Sequence, residues 1–114
     1  SKDESKVAVV LKDSHKVIGE LFCEFNEPDT YFIGWNFNPD YEGKGYATEA
    51  AKAMIQFAFE IKKLHRVHAR HFASNPASGR VIQKCGMLYE GTFKEHIYKI
   101  NRFEDIVQYG ILKE

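Results

Sequence analysis

The chain has 114 residues, 44% hydrophobic and 28% charged, as expected for one soluble globular domain. Sixteen basic residues balance sixteen acidic ones, which argues against a general nucleic-acid-binding surface, because such surfaces carry a basic excess. No apolar run is long enough to cross a bilayer, and the polar start SKDESK is unlike a signal peptide, so we expect a cytoplasmic protein with no membrane or nucleic-acid partner.

Three strands are predicted in the first third of the chain. Apolar, β-branched runs at residues 7–11 and 17–25 flank Asp13-Ser14-His15, a hairpin pattern. Residues 30–37, TYFIGWNF, predict a third strand between two prolines, which lack the amide donor that a strand interior needs.

Helices and strands then alternate. Residues 46–62 place alanines, Met54 and Ile61 on one helical stripe, whereas residues 66–72, RVHARHF, alternate as a strand. A second helix is predicted after Asn75, which is a good N-cap. Pro76 suits its first position and Gly86 the residue just past its end.

Two long strands close the chain. LYEGTFKEHIYKI and FEDIVQYGIL predict a hairpin joined at Asn101-Arg102. The resulting order is β-β-β-α-β-α-β-β. It indicates an α/β (α+β) fold in which a mixed, mostly antiparallel sheet carries two helices, with residues 1–114 as a single domain.

A glycine loop, Glu42-Gly43-Lys44-Gly45, precedes the first predicted helix, and Gly45 stands where a capping side chain would serve. Glycines let backbone amides approach an anion closely, and a helix N-terminus favours negative charge. The loop is therefore either a tight turn or an anion site, and alone it does not separate the two. It is not a Walker A loop, because Gly45 follows Gly43-Lys44 where that motif needs Ser or Thr.

The order of these elements and motifs resembles the GNAT acetyltransferase superfamily. Its phosphate loop, Gln/Arg-x-x-Gly-x-Gly/Ala, is matched at Gly45 and Ala47 and departs at Glu42. Asn75-x-x-Ser78 followed by Lys84-x-Gly86 is similar to the family's next helix. The end of the chain, EGTF and NRFEDIVQYGIL, is similar to the closing hairpin of the ribosomal-protein alanine N-acetyltransferases.

The resemblance covers residues 7–112. Family members usually begin with another strand and one or two helices, so we expect a single GNAT-like domain that is incomplete at its N-terminus. A homodimer is a further expectation.

The resemblance implies acetyl transfer from acetyl-CoA to an amine, with a protein N-terminal α-amine as a candidate acceptor. Backbone amides at the start of the first helix would hold the CoA pyrophosphate, and the third strand would run beside the pantetheine arm. The cofactor-binding residues so implied are Trp35, Phe37, Glu42, Gly43, Lys44, Gly45, Tyr46, Ala47, Thr48, Asn75 and Lys84.

The same resemblance suggests two catalytic residues. Many members protonate the departing thiolate with a tyrosine, but the corresponding residue is Ile82, so Ser78 is the candidate donor. Glu95 is the candidate base, acting through water, because freeing an α-amine at pH 7 costs only about 1 kcal/mol against about 4.6 for a lysine. Each has a structural alternative: Ser78 as a residue that satisfies local amides, and Glu95 as a solvated carboxylate.

Other interpretations stay open at this stage. One is a non-catalytic CoA-binding or interaction domain, and another is an enzyme for a small amine such as a polyamine. No metal is expected, because His65 and His71 share one strand face while His68 takes the other. Cys23 and Cys85 are expected to be free thiols.

Overall fold

The computed structural model describes residues 3–26 and 28–113, with the backbone alone at residues 3 and 4. The predicted order of elements is confirmed. The elements are β1 (Asp3–Val10), β2 (Val17–Asn26), β3 (Thr30–Phe37), a 3₁₀ turn (Pro39–Tyr41), α1 (Tyr46–Glu60), β4 (Arg66–Phe72), α2 (Pro76–Lys84), β5 (Leu88–Lys99) and β6 (Arg102–Leu112).

The strands form one six-stranded sheet in the order β1-β2-β3-β4-β6-β5. All neighbours are antiparallel except β3 and β4, so the predicted mixed, mostly antiparallel sheet is confirmed. The parallel pair joins only three residues of each strand, from Thr30 opposite Arg66 to Phe32 opposite His68. Beyond that point β3 and β4 part, and a gap opens between their carboxyl ends.

Both helices pack on one face of the sheet. Strand alternation directs Ile33 and Val67, each 0% exposed, toward these helices, where Ile82 of α2 is also fully buried. The residues between them along each strand point to the opposite face of the sheet, which is called the outer face here. Its residues around the gap are Phe22, Phe32, His68, Arg70, Phe72 and Ile106.

The first helix is shorter than predicted, and Ile61 does not belong to its buried stripe, since it is 67% exposed. Lys63 has a φ of 58°, which takes the chain out of the helix. The amide of Leu64 then donates to the carbonyl of Ala58 over 3.0 Å. This reversal lets the Leu64 side chain enter the core in place of Ile61.

The closing hairpin turns one residue earlier than predicted. Lys99 pairs with Arg102, and the turn residues are Ile100 and Asn101, with φ values of 50° and 63°. Two consecutive residues at positive φ characterise the type I′ turn, whose twist matches that of the flanking strands. The register of β5 on β6 therefore overrides the local preference of Ile100.

The first strand begins at Asp3, ahead of the predicted apolar run, because backbone pairing with Phe25 needs no apolar side chain. Cys23 and Cys85 are free, as predicted, and both are buried. Burial raises the pKa of both thiols, so they are poor nucleophiles near neutral pH.

Candidate functional site

The glycine loop ends at the start of α1, where Gly45 occupies the N-cap position without a side-chain acceptor. Gly43 and Gly45 have φ values of 76° and 85°, a conformation that side chains disfavour. A Cβ built on either glycine meets no atom within 4 Å. The predicted uncapped helix is thus confirmed, and its first amides lie beside open space, as an anion site requires.

A cleft of about 280 Å³ lies against this helix start. Its wall combines the end of β3, the glycine loop and one side of α2. The lining residues are Trp35, Asn36, Phe37, Tyr41, Glu42, Gly43, Gly45, Ala47, Thr48, Asn75, Ala77, Ser78, Arg80, Val81 and Lys84.

The structure therefore brings together nine of the eleven predicted binding residues with Ser78, and leaves two of them, Lys44 and Tyr46, outside the lining. Lys44 instead places its Nζ 5.8 Å from the centre of the Tyr41 ring, and the Tyr46 ring lies 6.2 Å from the same ring. The charge of Lys44 thus stays at the rim of the cleft.

Two cations of α2 line the same cleft as the helix start. Arg80 and Lys84 both line it and are separated by four residues, which places them on the same side of the helix. Among the lining residues that the structure describes, Glu42 is the only carboxylate, and its side chain is exposed. Open backbone amides, two cations and a helix dipole fit a diphosphate. Sequence reasoning missed Arg80, although its spacing from Lys84 was a usable signal.

The first turn of α2 positions the Ser78 hydroxyl. Asn75 caps the helix through its Oδ1, which accepts from the Ser78 amide over 3.4 Å, while its Nδ2 donates to Ser78 Oγ over 3.1 Å. Because Ser78 Oγ accepts this bond, its own proton is left to donate elsewhere. Ile82, by contrast, is buried in the core and contributes no polar group to the cleft.

A second cleft, of about 420 Å³, opens on the outer face. It shares three residues with the first cleft, namely Trp35, Asn75 and Ser78. The two clefts therefore meet at the gap between β3 and β4. The other lining residues are Phe22, Phe32, Gly34, Arg70, His71, Phe72, His96, Ile97 and Ile106.

His71 is fixed in this wall by α2. Its Nδ1 lies 2.7 Å from the carbonyl oxygen of Phe72, which can only accept, so Nδ1 carries the proton. A Cβ at Gly79 would lie 2.8 Å from His71 Nε2, so a larger residue in α2 would displace the ring. His71 is thus an imidazole held in a fixed orientation at the edge of the gap.

Glu95 lines neither cleft. It lies in an irregularity of β5 between Phe93 and Ile97, with a φ of 45°, and its amide donates to Asp105 Oδ1 over 2.8 Å. This bond, followed by the Lys94 ammonium, lowers the pKa of the Asp105 carboxyl. The irregularity turns the neighbouring His96 into the second cleft. No local sequence signal marks such a bulge.

Among residues 3–26 and 28–113, no cluster of His, Cys, Asp or Glu side chains suits a metal ion. Within the same described part, no helix is long and apolar enough to span a membrane.

Comparison with known proteins agrees with this geometry. Residues 1–88 match the model of the acetyltransferase (GNAT) domain. The uncharacterized N-acetyltransferase YnaD of Bacillus subtilis is 44% identical over 96% of this chain and 65% of its own length. A GNAT-family acetyltransferase from Bacillus anthracis, known as a crystal structure, superposes with a TM-score of 0.88 at 40% identity, over 94% of this chain and 65% of that one.

More distant relatives differ in the acceptors they are named for. The spermidine N(1)-acetyltransferase of Vibrio cholerae is 27% identical over 66% of this chain and 43% of its own length. The [ribosomal protein uS5]-alanine N-acetyltransferase of Escherichia coli is 26% identical over 92% of this chain and 50% of its own length. This chain thus spans between 43% and 65% of the length of these relatives. It belongs to the GNAT acetyltransferase family.

Proposed function

We propose that this GNAT-family chain moves an acetyl group from acetyl-CoA to an amine, with a protein N-terminal α-amine as the finer assignment. The observation that carries the proposal is the meeting of the two clefts at Trp35, Asn75 and Ser78. One cleft offers an anion site, and the other gives access to the same point from the outer face. A transfer between two bound molecules needs this arrangement.

The first cleft would hold the CoA. The amides of residues 43–48 would bind its diphosphate, assisted by Arg80 and Lys84. The backbone of β3 near Trp35 and Phe37, which has parted from β4, leaves peptide groups for the amides of the pantetheine arm. When bound, acetyl-CoA supplies the activated acyl group as a thioester.

The residues around the gap would handle protons. The amine nitrogen bonds to the acyl carbon while the carbon–sulfur bond breaks, so the nitrogen loses a proton and the sulfur gains one. Ser78 Oγ–H is our proposed donor to the sulfur, since Asn75 already occupies its acceptor side. Glu95 is our proposed base through a water relay, and His96, which lines the second cleft, is the competing candidate.

An α-amine needs only a weak base to lose its proton. With a pKa of about 7.8 it is partly neutral at pH 7, at a cost of about 1 kcal/mol, whereas a lysine amine costs about 4.6 kcal/mol. The described lining of the second cleft contains no Asp or Glu. This lining suits an acceptor that deprotonates easily.

Calorimetry with acetyl-CoA, followed by a thiol-release assay with a panel of amines, tests the proposal. We expect saturable binding and release of one thiol per acetylated amine. No binding at millimolar acetyl-CoA would refute the function. The panel should compare peptides having a free N-terminus with N-blocked peptides that carry a lysine.

One other function is favoured by a specific observation. Ile82 is fully buried where many relatives supply a tyrosine, which would suit a CoA-binding domain without catalysis. Binding of acetyl-CoA without thiol release for any amine, in this chain and in a longer form that matches its relatives' length, would support that alternative.

Three further statements about the whole protein stay predictions from the sequence. These are a single GNAT-like domain over residues 1–114, a cytoplasmic location and a homodimer. Sedimentation analysis of the purified chain tests the last of them.

A further inference from the structure

The second cleft combines aromatic surface with positive charge. Its apolar wall comes from five strands, β2 to β6, and consists of Phe22, Phe32, Phe72, Ile97 and Ile106. Its polar groups include Arg70, His71 and His96, and none of the described lining residues is Asp or Glu. The cleft is therefore apolar in body and cationic at its polar edge.

Arg70 supplies the guanidinium at the polar edge of this cleft, and its described partners are neutral. Its Nε donates to Gln108 Oε1 over 2.8 Å, and its Cζ lies 4.9 Å from the centre of the Phe93 ring. Lys99 adds charge nearby, with its Nζ 4.2 Å from the centre of the Phe72 ring, which lines the cleft. Neither contact neutralises the charge of Arg70.

The carboxylates on adjoining strand positions already bind cations of their own. Glu104 Oε2 lies 2.7 Å from the Arg102 guanidinium, and Asp105 Oδ2 lies 3.3 Å from Lys94 Nζ. Glu90 is likewise paired with Arg66 through its carboxylate.

A further carboxylate, Glu24, borders a separate polar hollow together with Arg66, His68 and Arg70. Its Oε1 accepts a hydrogen bond from Asn26 Nδ2 over 3.3 Å, and Glu24 does not line the second cleft. Glu95, which precedes His96 in β5, does not line this cleft either. The charge that the described lining presents to a molecule in this cleft is therefore positive.

From this charge pattern we infer that Arg70 selects acceptor amines that carry an apolar group and a carboxylate, and that the cleft rejects polyamines. A guanidinium matches a carboxylate with two parallel hydrogen bonds, and the aromatic wall accepts the apolar group. A polyamine would bring several positive charges to a cationic edge without a described carboxylate to receive them. The inference rests on the proposed acetyl transfer to an amine and not on the finer N-terminal assignment, since the selected amine reacts at the gap.

The only tryptophan in the sequence makes a direct binding test practical. Trp35 lines both clefts, so its fluorescence reports occupants of either one. Three probes form a matched set: phenylalanine, phenethylamine, which lacks only the carboxylate, and spermidine. Each is titrated with and without saturating CoA.

We expect phenylalanine to bind at least about tenfold more tightly than phenethylamine, and spermidine to bind more weakly than both. Arg70→Gln should remove the advantage of phenylalanine and leave phenethylamine unchanged, and Arg70→Lys should restore part of it. Arg70 is exposed, so these variants should fold, which circular dichroism checks. Lys12→Gln removes an exposed charge outside both clefts and serves as the control.

Three outcomes would overturn the inference: spermidine binds most tightly, Arg70→Gln leaves the affinity for phenylalanine unchanged, or none of the probes binds saturably. The proposed function fails by a different measurement, namely the absence of acetyl-CoA binding in calorimetry. Amine selectivity in the fluorescence titration does not depend on that result.

Discussion

The Nδ2 of Asn75 donates to Ser78 Oγ over 3.1 Å, at the point where the two clefts share a wall. The same asparagine caps α2 through its Oδ1. A helix cap therefore also orients the hydroxyl that we propose as the proton donor, because an oxygen that accepts from Asn75 must direct its own proton elsewhere.

Removal of that hydroxyl should slow turnover. For Ser78→Ala we expect kcat to fall about a hundredfold, the scale of one lost acid–base group, while the acetyl-CoA Kd stays within about twofold. Ser74→Ala removes a hydroxyl just before α2 that bonds to Glu104 and lines neither cleft, so it should keep kcat. Unchanged turnover in Ser78→Ala would remove Ser78 from the mechanism.

The glycine loop should tolerate no side chain at Gly45. With a φ of 85°, Gly45→Val introduces about 1–2 kcal/mol of backbone strain and a branched group beside the open amides. We expect CoA to bind at least about tenfold more weakly by calorimetry. Gly91→Ala, where an added Cβ also meets no atom within 4 Å, is the control and should keep CoA affinity. Normal affinity in Gly45→Val would make the loop a plain turn.

Arg80 and Lys84 should contribute to CoA binding through charge. We expect the Arg80→Gln/Lys84→Gln double variant to bind CoA about ten- to a hundredfold more weakly at low salt. The difference in CoA affinity between this variant and the parent should shrink toward 1 M salt, where the Debye length falls to about 3 Å. Lys12→Gln/Lys62→Gln, which removes two exposed positive charges outside the cleft, is the charge-matched control. A loss of affinity that does not vary with salt would contradict an electrostatic role.

The ion pair between Arg66 and Glu90 should make stability depend on pH. The Arg66 hydrogen bond lowers the pKa of Glu90 from 4.5 to about 2, aided by Gln108, whose Nε2 donates over 2.8 Å. A lowered folded-state pKa stabilises the fold above pH 4.5, and this contribution is lost as the pH falls toward 2.

Denaturant titrations of Glu90→Gln measure this effect. We expect the variant to lose about 1 kcal/mol of unfolding free energy at pH 7, a modest value because water reaches both side chains. The difference from the parent should narrow as the pH falls toward 2. Glu60→Gln, on the exposed side of α1, is the control. A difference that stays constant with pH would refute the assignment.

The choice of base should appear in pH–rate profiles. If Glu95 acts through water, as we propose, Glu95→Gln should lower kcat/KM at pH 7 by about tenfold, and His96→Gln should not. The defect should fade above about pH 8, where an α-amine is largely neutral. A defect confined to His96→Gln would assign the role to the side chain that lines the second cleft.

Much of this structure could be predicted from local sequence. The period of apolar residues determined the type and order of the elements, because alternation and helical spacing are properties of neighbouring residues. The same holds for the Asn75 cap and for Gly45 at the start of α1, which are settled within a few residues.

Long-range pairing decided the rest. The parting of β3 from β4 after Phe32 and the meeting of two clefts at Ser78 depend on contacts between strands far apart in the chain. The bulge in β5 placed His96, and not Glu95, in the second cleft. The sequence by itself therefore determined the elements and the anion loop, whereas only the tertiary structure decided which side chains share the gap, because strand register is set by backbone hydrogen bonds between distant residues.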